Sequence, residues 1–341
     1  MDHTATRPGA ATAGRSAVFI GGPIYPERKD GTDNLANAKK VLKDLQQSGF
    51  TTVILWTIHI ADKDETNGIK KNDLIYNDIR IVSDGTYVGN KEWPKLVKQL
   101  KTPTGTDTTK IKRVEISIGS YTPPNEKADW EKIKELINAK DGDSDTSILY
   151  RNFKALLETI GADAINSDDE DCYDEASTVK FANMIEKIRK ADKTKKIACQ
   201  NFTFAPFNRK DYWRAVKDKL GSRVDRVYLQ CYNGGSDNCT KACLDEWSEA
   251  MKGMSLEPGL PSLHGNNCNK GCTPTQVQDN LSTLRKAGAK ISGGFIWNYD
   301  EIQKCQPKKE DCTAQKYAEA INKATSSTTG AKTAAITTAH K

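Results

Sequence analysis

Eight short apolar runs, rich in β-branched and aromatic residues, recur along the chain, and nearly all are followed by an amphipathic helical pattern. Such runs predict buried strands, and their alternation with helices predicts repeated strand–helix units on a parallel sheet. The predicted strands span residues 16–20, 52–60, 113–121, 162–170, 196–202, 226–233, 256–261 and 293–299. A (β/α)8 barrel of the triosephosphate-isomerase (TIM) type takes about 250 residues, and this chain has 341. The sequence therefore predicts a single α/β barrel domain.

The helical patterns between these runs support the barrel over an open sheet. They span residues 34–47, 127–139, 146–160, 177–191, 209–219, 242–252, 275–287 and 313–323, and residues 74–88 predict a small hairpin insertion that turns at Asp84-Gly85. The alternative is a doubly wound open sheet, which usually has a glycine-rich phosphate-binding turn after its first strand. Gly21-Gly22-Pro23 is too short for that turn and is blocked by proline.

The two ends of the chain differ from its body. Residues 1–15 and 324–341 are rich in Thr, Ala and Gly and lack hydrophobic periodicity, so we predict that they are disordered and that residues 16–323 form the barrel. No run approaches the roughly 18 apolar residues of a membrane span. The first 15 residues also lack the apolar core of a signal peptide, so an exported form is expected to be a trimmed one.

The net charge of +6 does not indicate a nucleic-acid partner. Residues 1–15 contribute +1 and residues 323–341 contribute +3, which leaves only about +2 on the rest of the chain. A nucleic-acid-binding protein usually carries a concentrated basic stripe. The most lysine-rich stretch, 187–196, is interrupted by apolar and acidic residues and is typical of a solvated helix end. We expect a monomer with neither nucleic acid nor membrane as a partner.

Nine cysteines are many for a protein of the reducing cytosol and favour a secreted one. Six of them lie in polar loops of the last third: Cys239 and Cys243, Cys268 and Cys272, and Cys305 and Cys312. Short-range disulfides are expected to staple these loops, and their connectivity stays open on the sequence. The alternative is a zinc site, although the spacing between the paired cysteines is less typical of zinc knuckles. The other three, Cys172, Cys199 and Cys231, follow or lie in apolar strands and are expected to be buried thiols.

The fourth predicted strand ends in a row of acidic residues, where a barrel carries its catalytic groups. Side chains alternate along a strand, so Asn166, Asp168 and Glu170 are predicted to share one face. Two neighbouring carboxylates raise one pKa through repulsion, so Glu170 is a candidate proton donor and Asp168 a candidate acceptor or charge stabiliser. Taken alone, the same row also fits a solvated loop or a Ca²⁺ or Mg²⁺ site.

Four motifs together resemble glycoside hydrolase family 18, the chitinase family. Its fourth-strand motif D-x-x-D-x-D-x-E corresponds here to Asp163, Asn166, Asp168 and Glu170. Three further matches fall on the expected strands and in the expected order: Ser117-Ile118-Gly119-Ser120 for S-x-G-G, Gln230-Cys231-Tyr232-Asn233 for Q-x-Y-N, and Trp297 after a Gly-Gly apolar run. The resemblance covers about residues 16–322.

The resemblance implies a retaining, substrate-assisted hydrolysis of glycans that contain N-acetylglucosamine, without a metal or an organic cofactor. It makes Glu170 the general acid, Asp168 the partner of the acetamide N–H, and Tyr232 a donor to the acetamido oxygen. Trp297 would form the floor under the sugar at the cleavage point. Asn166, Gln230 and Asn233 are the further candidates for substrate binding, and Ser117 and Asp163 are the supporting residues.

Departures from the family pattern affect the expected activity. Asn166 stands where the family has its middle Asp, Ala164 where it has Gly, and Ser167 where it has an aromatic residue. Because Asn166 cannot share a proton with Asp168, we predict reduced activity, which an Asn166→Asp change would alter. Trp56 and His59 are expected in the core or around the site.

Two other functions remain open on the sequence. One is an endo-β-N-acetylglucosaminidase that cuts N-glycan cores, whose motif the string Asp168-Asp169-Glu170 also resembles. The other is a chitinase-like lectin that has lost catalysis. Retention of both Asp168 and Glu170 argues against the lectin.

Overall fold

The structure is a computed structural model that describes residues 14–123 and 125–326. Its strands are β1 (Arg15–Ile20), β2 (Thr52–Ile60), β3 (Leu74–Tyr76), β4 (Ile79–Ser83), β5 (Thr86–Tyr87), β6 (Arg113–Ile118), β7 (Ala164–Ser167), β8 (Asn201–Phe204), β9 (Val224–Val227), β10 (Gly259–Pro261) and β11 (Gly293–Trp297). Its helices are α1 (Leu35–Ser48), α2 (Trp93–Lys101), α3 (Asp129–Asn138), α4 (Ile148–Ile160), α5 (Glu175–Ala191), α6 (Lys210–Leu220), α7 (Lys241–Ala250), α8 (Pro274–Lys286), α9 (Tyr299–Cys305) and α10 (Ala314–Thr325).

The parallel strands close into a barrel. They pair in the order β10-β11-β1-β2-β6-β7-β8-β9. The two outer strands of that order then meet, because Gln230, just beyond β9, pairs in parallel with Gly259 of β10. Backbone hydrogen bonds from Gly259 to Leu229 at 2.8 Å and from Cys231 to Gly259 at 3.1 Å complete this seam. Since closure removes both sheet edges, the predicted barrel is confirmed and the open doubly wound sheet is not formed.

Several element boundaries differ from the predicted ones. Of the apolar runs at 196–202 and 226–233, only residues 201–202 and 226–227 lie in paired strands, which span Asn201–Phe204 and Val224–Val227. Barrel strands are staggered, so only the part of each run that faces both neighbours forms a ladder. Helix α2 was not predicted, although Trp93, Leu96, Val97 and Leu100 are buried at helical spacing. Proline in its first turn is compatible with a helix start there.

The predicted insertion extends the barrel wall. β3, β4 and β5 form an antiparallel meander in which β3 pairs with β2, so the insertion has three short strands instead of the two of a hairpin. The predicted turn at Asp84-Gly85 is confirmed: both residues have positive φ, as a tight two-residue turn requires.

Two apolar layers hold the fold together. The larger lies between the strands and the surrounding helices. Four tryptophans pack there, none of them more than 3% exposed: Trp93, Trp130, Trp213 and Trp247. A smaller cluster fills the barrel interior: Ala17, Phe19, Ile54, Ala205, Tyr228, Tyr232 and Phe295. Because the interior is packed, a ligand has access only at a mouth of the barrel.

The cysteines pair differently from the prediction. A disulfide joins Cys268 to Cys305, whose Cα atoms are 5.6 Å apart, whereas Cys239, Cys243, Cys272 and Cys312 are free thiols. The structure thus has a long-range disulfide instead of the expected short-range ones. The loop after β10 lies against the end of α9, so Cys268 meets Cys305, the last residue of that helix. Within 14–123 and 125–326, no group of His, Cys, Asp or Glu has the arrangement of a metal site.

The predicted disordered ends lie mostly outside the described residues. At their inner limits, Arg15 already begins β1 and Thr325 still belongs to α10. Over the part of the chain that the structure describes, no helix combines the length and hydrophobicity needed to cross a bilayer.

Candidate active site

The fourth barrel strand, β7, brings the acidic row to the carboxyl-terminal mouth of the barrel. Pairing continues past β7, because the backbone N–H of Asp168 donates to the Ile118 carbonyl at 3.0 Å. Strand alternation therefore still holds at Asp168 and puts it on the same side as Asn166. Asn166 is fully buried, Asp168 is almost fully buried, and Glu170 is half-buried. Glu170 is thus the member of the row nearest to solvent.

Gln230 brings the two carboxyl groups together from beyond β9. Its Nε2 lies 3.0 Å from Asp168 Oδ1 and 3.3 Å from Glu170 Oε1, and it donates to the Ala205 carbonyl at 2.8 Å. Nε2 carries two hydrogens, so with one directed to Ala205 the other is shared between the two carboxyl oxygens. Asp168, Glu170 and Gln230, which the sequence predicted as site residues, are therefore in direct contact.

Burial and repulsion control the protonation of this pair. Burial raises the pKa of Asp168 well above its ordinary value, and the charges of Glu170 and Asp169 raise it further. The pKa of Glu170 is also raised, mainly by burial, while its hydrogen bond from Gln230 opposes the rise. Carboxyl groups with raised pKa values keep a proton at higher pH than free carboxylic acids do. The pair can therefore donate a proton to a leaving oxygen and later accept one.

Asp169 has a structural task that the sequence analysis missed. It accepts hydrogen bonds from the backbone N–H groups of Cys172 and Tyr173 and from the Tyr212 hydroxyl, each at 2.9 Å. Its position between Asp168 and Glu170 puts its side chain on the opposite face of the chain. This alternation is the sequence feature from which its different role could have been predicted. Asp169 thus fixes the loop that follows Glu170.

An aromatic wall stands beside the carboxyl pair. Tyr232 and Trp297 lie nearly parallel, with an interplanar angle of 22° and ring centroids 6.0 Å apart, and Trp56 meets Trp297 edge-on at 4.8 Å. The indole N–H of Trp56 is buried without a hydrogen-bond partner, and it lies near enough to Asp168 to lower the pKa of that carboxyl. Trp56 therefore belongs to the site itself, where the sequence analysis had expected a core or surrounding residue.

A buried polar network lies beneath the carboxyl pair. Ser117 donates to Asn166 Oδ1 at 2.9 Å, and Asn166 Nδ2 donates to Thr203 at 2.9 Å. Thr203 in turn donates to Glu115 at 2.6 Å. Since Thr203 gives its only hydrogen to Glu115, it must accept from Asn166, which fixes the amide orientation. Ser117 and Asn166 therefore support the floor of the site, with the amide directed to Thr203.

The remaining predicted residues lie apart from the carboxyl pair. Asp163 precedes β7, forms an ion pair with Lys101 at 2.7 Å and accepts a hydrogen bond from the Val114 backbone N–H at 2.8 Å. Five residues of extended chain put it roughly 16 Å from Asp168. Asn233 is exposed beside the mouth. His59, near the end of β2, pairs with Asp129 at 2.6 Å.

A solvent-open cavity of about 820 Å³ extends from the aromatic wall. Tyr232, Asn233 and Trp297 line the cavity, together with polar residues from the loop after β10 and from in and around α9: His264, Asn266, Asn298, Glu301, Lys304 and Lys308. Flat aromatic faces surrounded by amides and charged groups are suited to bind a polar, ring-shaped ligand.

Comparisons with known proteins bear on the fold. No family model matches the sequence, and no curated protein matches it either. Among solved structures, the chain resembles a glycoside hydrolase family 18 chitinase from Pseudoalteromonas aurantia, with 13% identity over 91% of this chain and 99% of that chain and a TM-score of 0.57. It also resembles a fungal family 18 endo-β-N-acetylglucosaminidase, with 13% identity over 90% and 98% of the two chains and a TM-score of 0.59.

A third similar structure is the spore cortex-lytic enzyme SleL of Bacillus cereus, with 10% identity over 93% of this chain and 76% of that chain and a TM-score of 0.52. At such low identities these likenesses establish the barrel fold alone. The chemistry has to be inferred from the residues at the mouth of the barrel.

Proposed function

We propose that the protein is a glycoside hydrolase of the family 18 type that cleaves β-1,4 linkages of glycans containing N-acetylglucosamine, with chitin or its oligosaccharides as substrate. The observation that carries the proposal is the contact of Gln230 with both Asp168 and Glu170, next to the wall of Tyr232 and Trp297. The barrel fold shared with chitinases and endo-β-N-acetylglucosaminidases supports it.

In the proposed mechanism, Glu170 protonates the glycosidic oxygen. The 2-acetamido oxygen of the bound sugar attacks the anomeric carbon, the leaving sugar departs, and an oxazolinium ion forms. Asp168 accepts a hydrogen bond from the acetamide N–H and stabilises the positive charge, and Tyr232 donates its hydroxyl to the acetamido oxygen. Glu170, now a carboxylate, then takes a proton from the attacking water, which restores the acid with retention of configuration.

A second candidate is cleavage within the core of N-glycans. It is favoured by the likeness to the fungal endo-β-N-acetylglucosaminidase and by the string Asp168-Asp169-Glu170. A large cavity beside Trp297, rich in amides and charged groups, offers room for a branched glycan. Both reactions use the same acetamido chemistry, so only the substrate distinguishes them.

Product analysis by mass tests the proposal. The protein is incubated with chitin oligosaccharides and, separately, with a high-mannose glycoprotein, with Glu170→Gln as the inactive control. Shortened oligosaccharides that vanish with the control support the chitinase, whereas release of glycan from the glycoprotein alone moves the assignment to N-glycan processing. Binding of oligosaccharides without cleavage of either substrate identifies a lectin and refutes the enzyme.

Tyr232→Phe is expected to lower kcat about 10- to 100-fold. The change removes only the hydroxyl that holds the acetamido oxygen, and a hydrogen bond to a group that becomes charged is worth about 1.5–3 kcal/mol. Tyr173→Phe is the matched control, since Tyr173 bonds to Asn208 outside the carboxyl pair. Initial rates on chitin oligosaccharides measure the effect; equal rates in both variants would remove Tyr232 from the mechanism.

Asn166→Asp is expected to move the acidic limb of the kcat–pH profile to higher pH by about one unit. A carboxylate at position 166 adds a like charge beneath Asp168 and Glu170 and so raises their pKa values further. Asn166→Ala breaks the same bond to Thr203 without adding charge and is the control. If Asn166→Asp leaves both the rate and its pH profile unchanged, Asn166 does not influence the pair.

We also propose that the protein acts outside the reducing cytosol. The Cys268–Cys305 disulfide supports this location, because such bonds persist mainly in oxidising compartments.

A further inference from the structure

The segment that links β9 to α7 has a cysteine near each end and carries site residues between them. Gln230 and Cys231 lie near its start, Tyr232 follows them, and Cys239 lies two residues before α7. Gln230 holds the two carboxyl groups and Tyr232 forms the aromatic wall. The position of this segment therefore sets the geometry of the candidate site.

Asn238 folds the segment back on itself. Its side-chain Nδ2 donates to the Gln230 carbonyl at 3.0 Å and to the Phe207 carbonyl at 2.8 Å, and its Oδ1 accepts from the Trp247 indole at 3.1 Å. Asn238 is 8% exposed, so these bonds are shielded from water. Because Asn238 precedes Cys239 and Gln230 precedes Cys231, the contact brings the two cysteines together.

Both cysteines are free, and the bond from Asn238 to Gln230 puts their thiols close enough to hydrogen-bond. Contact with Cys239 raises the pKa of Cys231, and contact with Cys231 lowers the pKa of Cys239. Cys231 is buried, whereas Cys239 is partly exposed. A thiol with a lowered pKa that a reagent can reach is the one that attacks in disulfide exchange, and a buried neighbour is the one that resolves.

Two other thiols are neighbours of the Cys231–Cys239 pair but form no hydrogen bond with either of its sulfurs. Cys243, on the first turn of α7, adds only a charge effect to the raised pKa of Cys231. Burial and then the charge of Cys239 raise the pKa of Cys272, in the loop after β10. The loop closed by Cys231 and Cys239 is already folded by Asn238, so closure requires little movement of the backbone.

We propose that Cys231 and Cys239 form a second disulfide of this protein, which covalently closes the loop that carries Tyr232 and lies next to Gln230. The oxidant is a small disulfide such as glutathione disulfide. The Cys239 thiolate attacks one of its sulfurs, and the leaving glutathione takes up the proton from Cys239. The Cys231 thiolate then displaces the second glutathione, which takes up the other proton, so the protein loses two hydrogens and one disulfide becomes two thiols.

Peptide mapping of the intact chain tests the pairing without reference to hydrolysis. The protein is equilibrated in a glutathione redox buffer, denatured, alkylated without reduction and digested with trypsin. Cleavage after Arg226 and Lys241 leaves both cysteines in one peptide, 227–241. The proposal expects this peptide unalkylated and lighter by two hydrogens than its dithiol form. Peptide 253–270 linked to 305–308 is the internal control, since it contains the Cys268–Cys305 bond.

Other pairings give other masses. Peptide 227–241 linked to 242–252 would show pairing with Cys243, and a link to 271–285 would show pairing with Cys272. Either of these linked products overturns the proposal. So does peptide 227–241 with both cysteines alkylated, when the control link between 253–270 and 305–308 is intact. In the same buffer, the Tm of Cys239→Ser is expected to be about 5 °C below that of the unaltered chain. The Tm of Cys243→Ser is expected to equal that of the unaltered chain. Equal melting of all three proteins also contradicts the closed loop.

Discussion

Glu170→Gln is expected to lower kcat on chitin oligosaccharides by about 1000-fold, because general acid catalysis contributes about 10²–10⁴ in rate. The amide has nearly the shape of the carboxyl group and its Oε1 can still accept from Gln230 Nε2, as Glu170 does at 3.3 Å. It carries no acidic proton for the glycosidic oxygen and cannot act as a base towards water. Substrate affinity is therefore expected to persist while turnover is lost.

Asp171→Asn is the matched control, since it removes one negative charge at the next, exposed position. Its rate is expected to stay within about threefold of the unaltered protein. A rate for Glu170→Gln within tenfold of that control would show that another group supplies the proton.

Thermal unfolding separates loss of chemistry from loss of fold. The pKa of Glu170 is raised in the folded state, so the folded protein holds this proton more tightly than the unfolded chain does. Stability from this group is therefore present at low pH and falls as the pH rises from the ordinary value of about 4 through the raised one. At pH 7, Glu170→Gln removes a carboxylate that burial disfavours, so its Tm is expected to equal or exceed that of the unaltered protein.

Glu115→Ala is expected to lower the free energy of unfolding by about 3–5 kcal/mol and the Tm by about 10 °C. Glu115 is fully buried in the barrel and accepts from Arg113 at 2.5 Å, Thr203 at 2.6 Å and Tyr228 at 2.7 Å. Alanine would leave both hydroxyl groups without their acceptor and the guanidinium with only Asp225 as partner. Each such buried, unpaired group costs about 1–3 kcal/mol.

Glu115→Gln is the matched variant, because its amide oxygen can still accept a hydrogen bond while the charge is lost. It is expected to lose about half as much stability as Glu115→Ala. Urea unfolding monitored by tryptophan fluorescence measures both changes. A loss below about 1 kcal/mol in Glu115→Ala would show that the network beneath Asn166 contributes little to the fold.

Much of the fold and part of the site follow from local patterns. The period of apolar residues predicted strands and helices in the order in which the barrel uses them, because burial of one face is a local requirement. Alternation along the fourth strand predicted that Asn166, Asp168 and Glu170 share a side. The same alternation places Asp163 on the other side of the chain from these three residues.

Other features arise only when the barrel closes. Gln230 meets Asp168 and Glu170 although about 60 positions separate them along the chain, and Trp56 joins the aromatic wall from the second barrel strand. The stagger of the strands decides which side chains reach the same level of the barrel, and no local pattern encodes that stagger.

The sequence by itself thus determined the type of fold, the strand that carries Asp168 and Glu170, and the alternation that puts both on one side. The tertiary structure alone decided which distant residues complete the site and that Cys268 pairs with Cys305. The physical reason is the distance over which each effect acts. Burial and backbone alternation act between near neighbours in the chain. Hydrogen bonds and disulfides require atoms within a few ångströms of each other, and only the closed barrel brings residues from distant parts of the chain that close.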